Sequence, residues 1–195
     1  MKRCLFLALF FTLSLFSLRA NAESATGGPV NVSATVPGGL ALELEIVDQV
    51  TSTPSPSLDF GELVRIGNEF RAAKFFKVFL RANATGDSFE LTQISTPLTR
   101  AGGPETIPTG AYIAKPTYVE ADNAGLSEPP GSTVGAIGTA VGTRTLYQDP
   151  TGSSRTITVV YTLSGDPNTG ATETIPLSQK SGSYSGTVQF TLTTA

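Results

Sequence analysis

Very few side chains in this sequence could carry out covalent or metal chemistry. There is no histidine, and the single cysteine, Cys4, lies close to the amino terminus. The rest of the chain therefore lacks the usual general base, thiol nucleophile and transition-metal ligands. Serine-nucleophile motifs and phosphate-binding glycine loops do not occur either. We therefore predict that the protein is not an enzyme and has no catalytic residue, no metal site and no cofactor.

One loop carries oxygen-bearing side chains of the kind that bind calcium. It reads DPNTGATE over residues 166–173 and offers Asp166, Asn168 and Glu173. Their spacing does not fit an EF-hand, and Asp-Pro and Asn-x-Gly are ordinary turn sequences. We therefore predict a turn here rather than a calcium site.

The elements that would position any site are strands. Apolar residues alternate with polar ones in two adjacent runs, 30–36 and 40–46, which Pro37-Gly38-Gly39 separates. Further strand patterns cover 58–66, 74–82, 88–95, 111–119, 155–163 and 186–195. The nearly continuous apolar run 74–82 predicts a strand buried on both faces, and a short strand is expected around 133–141.

Helical signals are weak throughout the sequence. The best candidate, residues 67–76, has no long apolar stripe and allows at most a single turn. Many short strands joined by Gly- and Pro-rich turns predict an all-β sandwich in one domain.

The first 22 residues have the pattern of a secretory signal peptide. Lys2 and Arg3 precede an apolar stretch over 4–18, and Ala20-Asn21-Ala22 forms a small-x-small cleavage site. Fifteen apolar residues are short for the alternative, a membrane anchor. Cleavage would remove three basic residues and change the net charge from −3 to about −6. An acidic surface of this kind disfavours nucleic acid as a partner.

Three segments of the chain resemble subunits of chaperone–usher pili. They are PVNVSATVPGGLALELEI near the start, LDFGELV with FRAAKFFKVFLRANATGDSFELT in the middle, and SGSYSGTVQFTLTTA at the end. In the last segment a Gly-x-Tyr-x-Gly-x-Val pattern, formed by Gly182, Tyr184, Gly186 and Val188, leads into a final alternating strand. The similarity is to major subunits of the alternative (alpha-class) or common-pilus type.

The resemblance implies an incomplete immunoglobulin-like β-sandwich over residues 40–195, preceded by an N-terminal extension and donor strand over 23–39. The donor residues would be Val30, Val32, Ala34 and Val36, inserted into the neighbouring copy. The implied product is a head-to-tail homopolymer, built by donor-strand exchange into a surface fibre for adhesion or biofilm formation. The implied partners are other copies of the chain, a periplasmic chaperone, an outer-membrane usher and a possible host or surface receptor, along an export route through the periplasm.

The resemblance also assigns the other half of the contact. Tyr184, Val188, Phe190 and Leu192 would flank the acceptor groove, and the carboxylate of Ala195 would anchor in the chaperone. The sequence ends within its last strand pattern, which is consistent with a sandwich that lacks one strand.

An alternative interpretation remains open at this stage. Runs 30–36 and 40–46 could form one first strand, kinked at Pro37-Gly38-Gly39, within a complete sandwich. The protein would then be a secreted monomeric binding module, possibly for glycans, whose N-terminal residues pack into its own core.

Overall fold

The fold is a β-sandwich in which the two larger sheets enclose one core. The computed structural model describes residues 34–35, 40–84, 86–164 and 166–195. The predicted signal peptide, residues 1–22, the predicted donor residues Val30, Val32 and Val36, and the Pro37-Gly38-Gly39 sequence lie outside the described residues. The strands are β1 (Ala34–Thr35), β2 (Ala41–Asp48), β3 (Thr53–Pro54), β4 (Leu63–Ile66), β5 (Glu69–Ala72), β6 (Phe76–Asn83), β7 (Phe89–Ser95), β8 (Thr99–Arg100), β9 (Tyr112–Tyr118), β10 (Thr133–Val134), β11 (Gly138–Thr139), β12 (Gly142–Asp149), β13 (Arg155–Leu163), β14 (Ile175–Pro176), β15 (Tyr184–Ser185) and β16 (Val188–Thr194).

Two sheets form the faces of the sandwich. One has the strand order β1-β16-β7-β12-β10, and the other has the order β11-β9-β13-β6-β2-β3. Smaller sheets, β14-β5-β4 and β15-β8, lie outside these two. All described strand pairs are antiparallel except β1 with β16, which run parallel.

Alternating side chains of both sheets build the core. On β13 the inward residues Ile157, Val159 and Tyr161 are fully buried, as their period-2 spacing predicts. The rings of Tyr161 and Phe190 meet edge to face across the sandwich, with centroids 6.5 Å apart. The Tyr161 hydroxyl also donates to the buried Gln93 side chain on β7, which itself donates to the Ala140 carbonyl (2.7 Å).

The prediction for strand β6 was wrong. This strand is not buried on both faces, because it alternates between buried residues and half-buried ones such as Lys77 and Phe79. Residues 67–76, where the sequence allowed at most a single helical turn, contain strand β5, because Gly67 (φ +62°) lets β4 and β5 pair as a hairpin. The single strand expected around 133–141 is two short strands, β10 and β11.

Helical structure is restricted to short 3₁₀ segments in the part of the chain that the structure describes. They span Thr109–Ala111, Glu120–Asn123 and Pro167–Thr169. Across these described ranges, no helix has the length and apolar character needed to cross a bilayer.

Candidate strand-docking groove

The two large sheets meet along two seams, and a short chain segment closes one of them. At the β9–β12 seam, β10 pairs with β12 and β11 pairs with β9, so residues 133–139 pass from one sheet to the other. Arg144 on β12 holds this segment in place. Its guanidinium donates to the carbonyls of Ala114, Gly138 and Thr139 at 2.7–3.2 Å and also to that of Ala136.

The opposite seam, between β2 and β16, has much less cover. Over Ala41–Glu45, β2 pairs only with β6 among the described strands, so its other edge is unpaired there. From Ile46 onward that edge is covered, since the Ile46 carbonyl accepts from the Ser55 amide (2.8 Å) and β3 follows. Leu42, Leu44 and Ile46 lie on the same face of β2, which points toward the core. Ile46 is buried, whereas Leu42 and Leu44 are only half buried. The edge of β16 is paired only with β1, a strand of two residues. We call this region, lined by Leu42, Leu44 and the inward face of β16, the β2–β16 groove.

The predicted acceptor residues on β16 form one wall of this groove. Val188, Phe190 and Leu192 point inward and are at most 1% exposed. Tyr184 lies before this strand, in β15, which pairs with β8 rather than with either large sheet. The predicted acceptor residues are therefore divided between β16 and the short sheet at its beginning.

One predicted donor residue and one predicted acceptor residue are register partners within this single chain. Ala34 lies opposite Phe190, and Thr35 lies opposite Thr191, in parallel register. Strand β1 thus lies along the edge of β16 that faces the β2–β16 groove.

The two ends of the groove differ in chemistry. At the end of β16, the Ala195 amide donates to the Ser88 carbonyl (2.9 Å), and the Ser88 hydroxyl donates to the Ala195 carbonyl oxygen (2.8 Å). At its beginning, Gly186 borders a cleft of about 620 Å³. Apolar residues that line this cleft include Leu58, Phe60, Leu63, Phe70, Leu98, Ile107 and Leu163.

Charged groups lie beside this cleft. Glu105 accepts a hydrogen bond from Arg100 (2.8 Å) and lies 3.2 Å from the Lys180 ammonium. The Arg100 hydrogen bond is the main reason that the pKa of Glu105 falls to about 2. The Tyr184 hydroxyl donates to the Lys180 carbonyl (2.6 Å) and accepts from the Gln179 amide (2.7 Å). The Glu105–Lys180 contact joins the segment after β8 to the segment that precedes β16.

Sequence reasoning missed the opposite wall of the groove and the cleft. It placed Leu42 and Leu44 in the first strand of the sandwich but not in the wall of a groove. The alternation LALELEI nevertheless identifies them as inward-facing. The cleft residues come from six separate segments of the chain, and no local pattern in the sequence connects them.

The described residues offer the groove little besides apolar surface and backbone hydrogen-bonding groups. Within ranges 34–35, 40–84, 86–164 and 166–195, no group of three or more His, Cys, Asp or Glu residues is placed to hold a metal ion. In the 166–173 loop, the Asp166 carboxylate accepts from the backbone N–H of Asn168 (2.9 Å), which is an ordinary turn contact. Comparison of the chain with family models, with curated proteins and with solved structures finds no match.

Proposed function

We propose that this protein is a structural subunit of a pilus, which polymerises when the N-terminal strand of one copy enters the β2–β16 groove of the next. The observation that carries the proposal is the half-exposed pair Leu42 and Leu44 beside the edge of β16. An extended segment with alternating apolar residues would fill this groove with side chains and pair its backbone with β16.

The strand order supports an immunoglobulin-like scaffold for this role. Strands β2, β6, β13 and β9 lie side by side as strands A, B, E and D do in immunoglobulin sandwiches, and β7 and β16 pair as C and F do. The edge of β16 that faces the groove is then the position of strand G. Strand β12 is a departure, since it follows β9 in the chain and joins the sheet of β7.

The energetics suit a subunit junction. A fully buried valine contributes roughly 1.5–3 kcal/mol, so Val30, Val32 and Val36 with Ala34 would supply several kcal/mol before ordering costs. Because such a contact runs head to tail and does not close on itself, it extends into a fibre. On this proposal a periplasmic chaperone covers the groove before assembly and an outer-membrane usher directs exchange. The finished fibre is then a surface structure for adhesion or biofilm formation.

A second candidate is a secreted monomeric binding module. Two observations favour it: β1 pairs with β16 of its own chain, and the cleft beside Gly186 combines an apolar wall with Gln179, Lys180 and Tyr184. A small ligand such as a glycan would then bind in that cleft, with no role for a second copy.

A denaturing gel of the exported protein, run with and without boiling, separates the two candidates. We expect a heat-labile ladder from the wild type and none from a variant that lacks residues 23–36. The double variant Val30→Asp with Val32→Asp should abolish the ladder. Its matched control is Asn31→Asp with Ser33→Asp, which adds the same charge on the other face of the strand and should retain the ladder. Monomers in every lane, or a ladder that survives the two valine substitutions, would contradict the proposal.

A further inference from the structure

The N-terminal segment and the groove belong to the same chain, and their parallel register has a geometric cause. Strand β16 ends at Thr194, which pairs with Phe89 at the start of β7. Strand β2 begins at Ala41, which pairs with Asn83 at the end of β6. Since β6 connects directly to β7, the end of β16 and the start of β2 lie at the same end of the sandwich.

This placement allows residues 34–35 to pair with β16 of their own chain in one direction only. Four residues, 36–39, separate Thr35 from Leu40. Five Cα–Cα steps span at most about 16–18 Å. A segment parallel to β16 runs toward the end where β2 starts, so from Thr35 it has to advance over about three residues of β16 and cross the roughly 10 Å between the sheets. That straight-line distance is about 14 Å, which is within reach of the connection.

An antiparallel segment at the same place on β16 would point the other way. Thr35 would then lie near Gln189, and the connection would have to return over about five residues of β16 and also cross to the other sheet. That is a straight-line distance of about 19 Å before any allowance for the reversal of direction, beyond the reach of the connection. Residues 34–35 in antiparallel register at this place on β16 therefore have to come from a second molecule.

We infer that the N-terminal segment closes the groove of its own chain in parallel register, and that this closed monomer competes with polymerisation. The competition, though not the closure, rests on the function proposed above. A short connection gives the attached segment an effective concentration in the millimolar range, about a thousandfold above that of a second copy present at micromolar concentration. Self-closure is therefore favoured in dilute protein, and a subunit awaiting assembly needs its groove occupied by something else.

Competition does not make the closed form permanent. Strand β1 contributes two residues of parallel pairing, whereas β16 offers a seven-residue edge. Parallel pairing is also slightly less stable per residue than antiparallel pairing. A longer antiparallel strand from another copy can therefore replace it.

A disulfide between register partners tests the closure. In a Cys4→Ser background, Thr35→Cys with Thr191→Cys should form an intramolecular disulfide, because directly paired strand residues lie within bonding distance. Thr35→Cys with Thr193→Cys is the matched control, since its second cysteine lies two residues further along β16. We expect at least tenfold more disulfide-bonded monomer from the first pair, measured on non-reducing gels and by peptide mass spectrometry.

The same protein tests the competition. The locked monomer should give at least tenfold less heat-labile ladder than the same variant after reduction. The inference is overturned if the 35/191 pair yields no monomeric disulfide beyond the 35/193 control, or if the locked protein assembles as well as the reduced one. A monomeric 35–191 disulfide in a protein whose wild type gives no ladder would support the closure and overturn the proposed pilus function instead.

Discussion

At the scale of single residues, Glu105 ties two segments together, because its carboxylate pairs with Arg100 in its own segment and with Lys180 before β16. Arg100 belongs to β8, and its Cα register partner is Tyr184 of β15. The hydrogen bond from Arg100 favours the ionised form of Glu105 and lowers the pKa of that carboxyl to about 2, below its ordinary value of 4.5. Contacts that depend on this carboxylate should therefore weaken in acid.

The sign of the pH dependence follows from that lowered pKa. A carboxyl whose pKa is depressed in the folded state contributes stability that is complete above its ordinary pKa and is lost as the pH falls toward 2. We expect NMR titration of the Glu105 side chain to give a midpoint of about 2. Arg100→Gln should raise that midpoint toward the ordinary value. A wild-type midpoint near 4.5 would contradict the contact.

The inward faces of the long strands could be predicted at this scale. Period-2 spacing alone placed Ile157, Val159 and Tyr161 on one buried face, and the structure confirms it. At β6, residue type led to the wrong prediction of a strand buried on both faces, because Phe79 is apolar but occupies a position on the outer face. This ring lies on the outer face with the Arg81 guanidinium 5.9 Å from its centroid, so an apolar residue marks a half-exposed position.

At the scale of elements, the two seams differ because only one has a segment held firmly across it. At the β9–β12 seam, Arg144 supplies a forked donor to several backbone carbonyls, which an ammonium group cannot match in geometry. Hydrogen bonds from a charged donor contribute about 1.5–3 kcal/mol each at most, and these share one side chain.

Arg144→Lys should therefore loosen the β9–β12 seam while it keeps the charge. We expect a loss of about 1–3 kcal/mol in the free energy of unfolding. Amide hydrogen exchange should also be at least tenfold faster over residues 135–141. Arg65→Lys is the control, since Arg65 is exposed and donates to a single carbonyl, that of Gly67 (3.1 Å); its effect should stay within about 0.5 kcal/mol. Equal effects of the two substitutions would show that Arg144 does not hold this segment.

The limits of sequence reasoning were clearest for elements made of a few residues. The Gly67-Asn68 pair between Ile66 and Glu69 is a two-residue hairpin signal that could have identified β4 and β5. Strands β10 and β11 carry no such signal. Their pairing depends on β12 and β9, which lie elsewhere in the sequence.

At the scale of the whole molecule, the sequence predicted the all-β sandwich but not how its strands are arranged. Alternation shows which residues face inward, whereas the placement of β1 beside β16 joins residues more than 150 positions apart. That pairing depends on which strand edge is left free after the sheets have formed. The groove could therefore be proposed from a resemblance, while its opposite wall, Leu42 and Leu44, needed three-dimensional structure.

The central claim is that a strand passes between copies, and mixed cross-linking of two full-length variants tests it most directly. One variant carries Thr35→Cys, and the other carries a single cysteine at Gln189, Thr191 or Thr193 on the outer face of β16, each in a Cys4→Ser background. After co-assembly and oxidation, we predict disulfides between unlike copies, with one β16 position strongly preferred. An equal mixture that yields no disulfide between copies at any of the three positions would contradict the account.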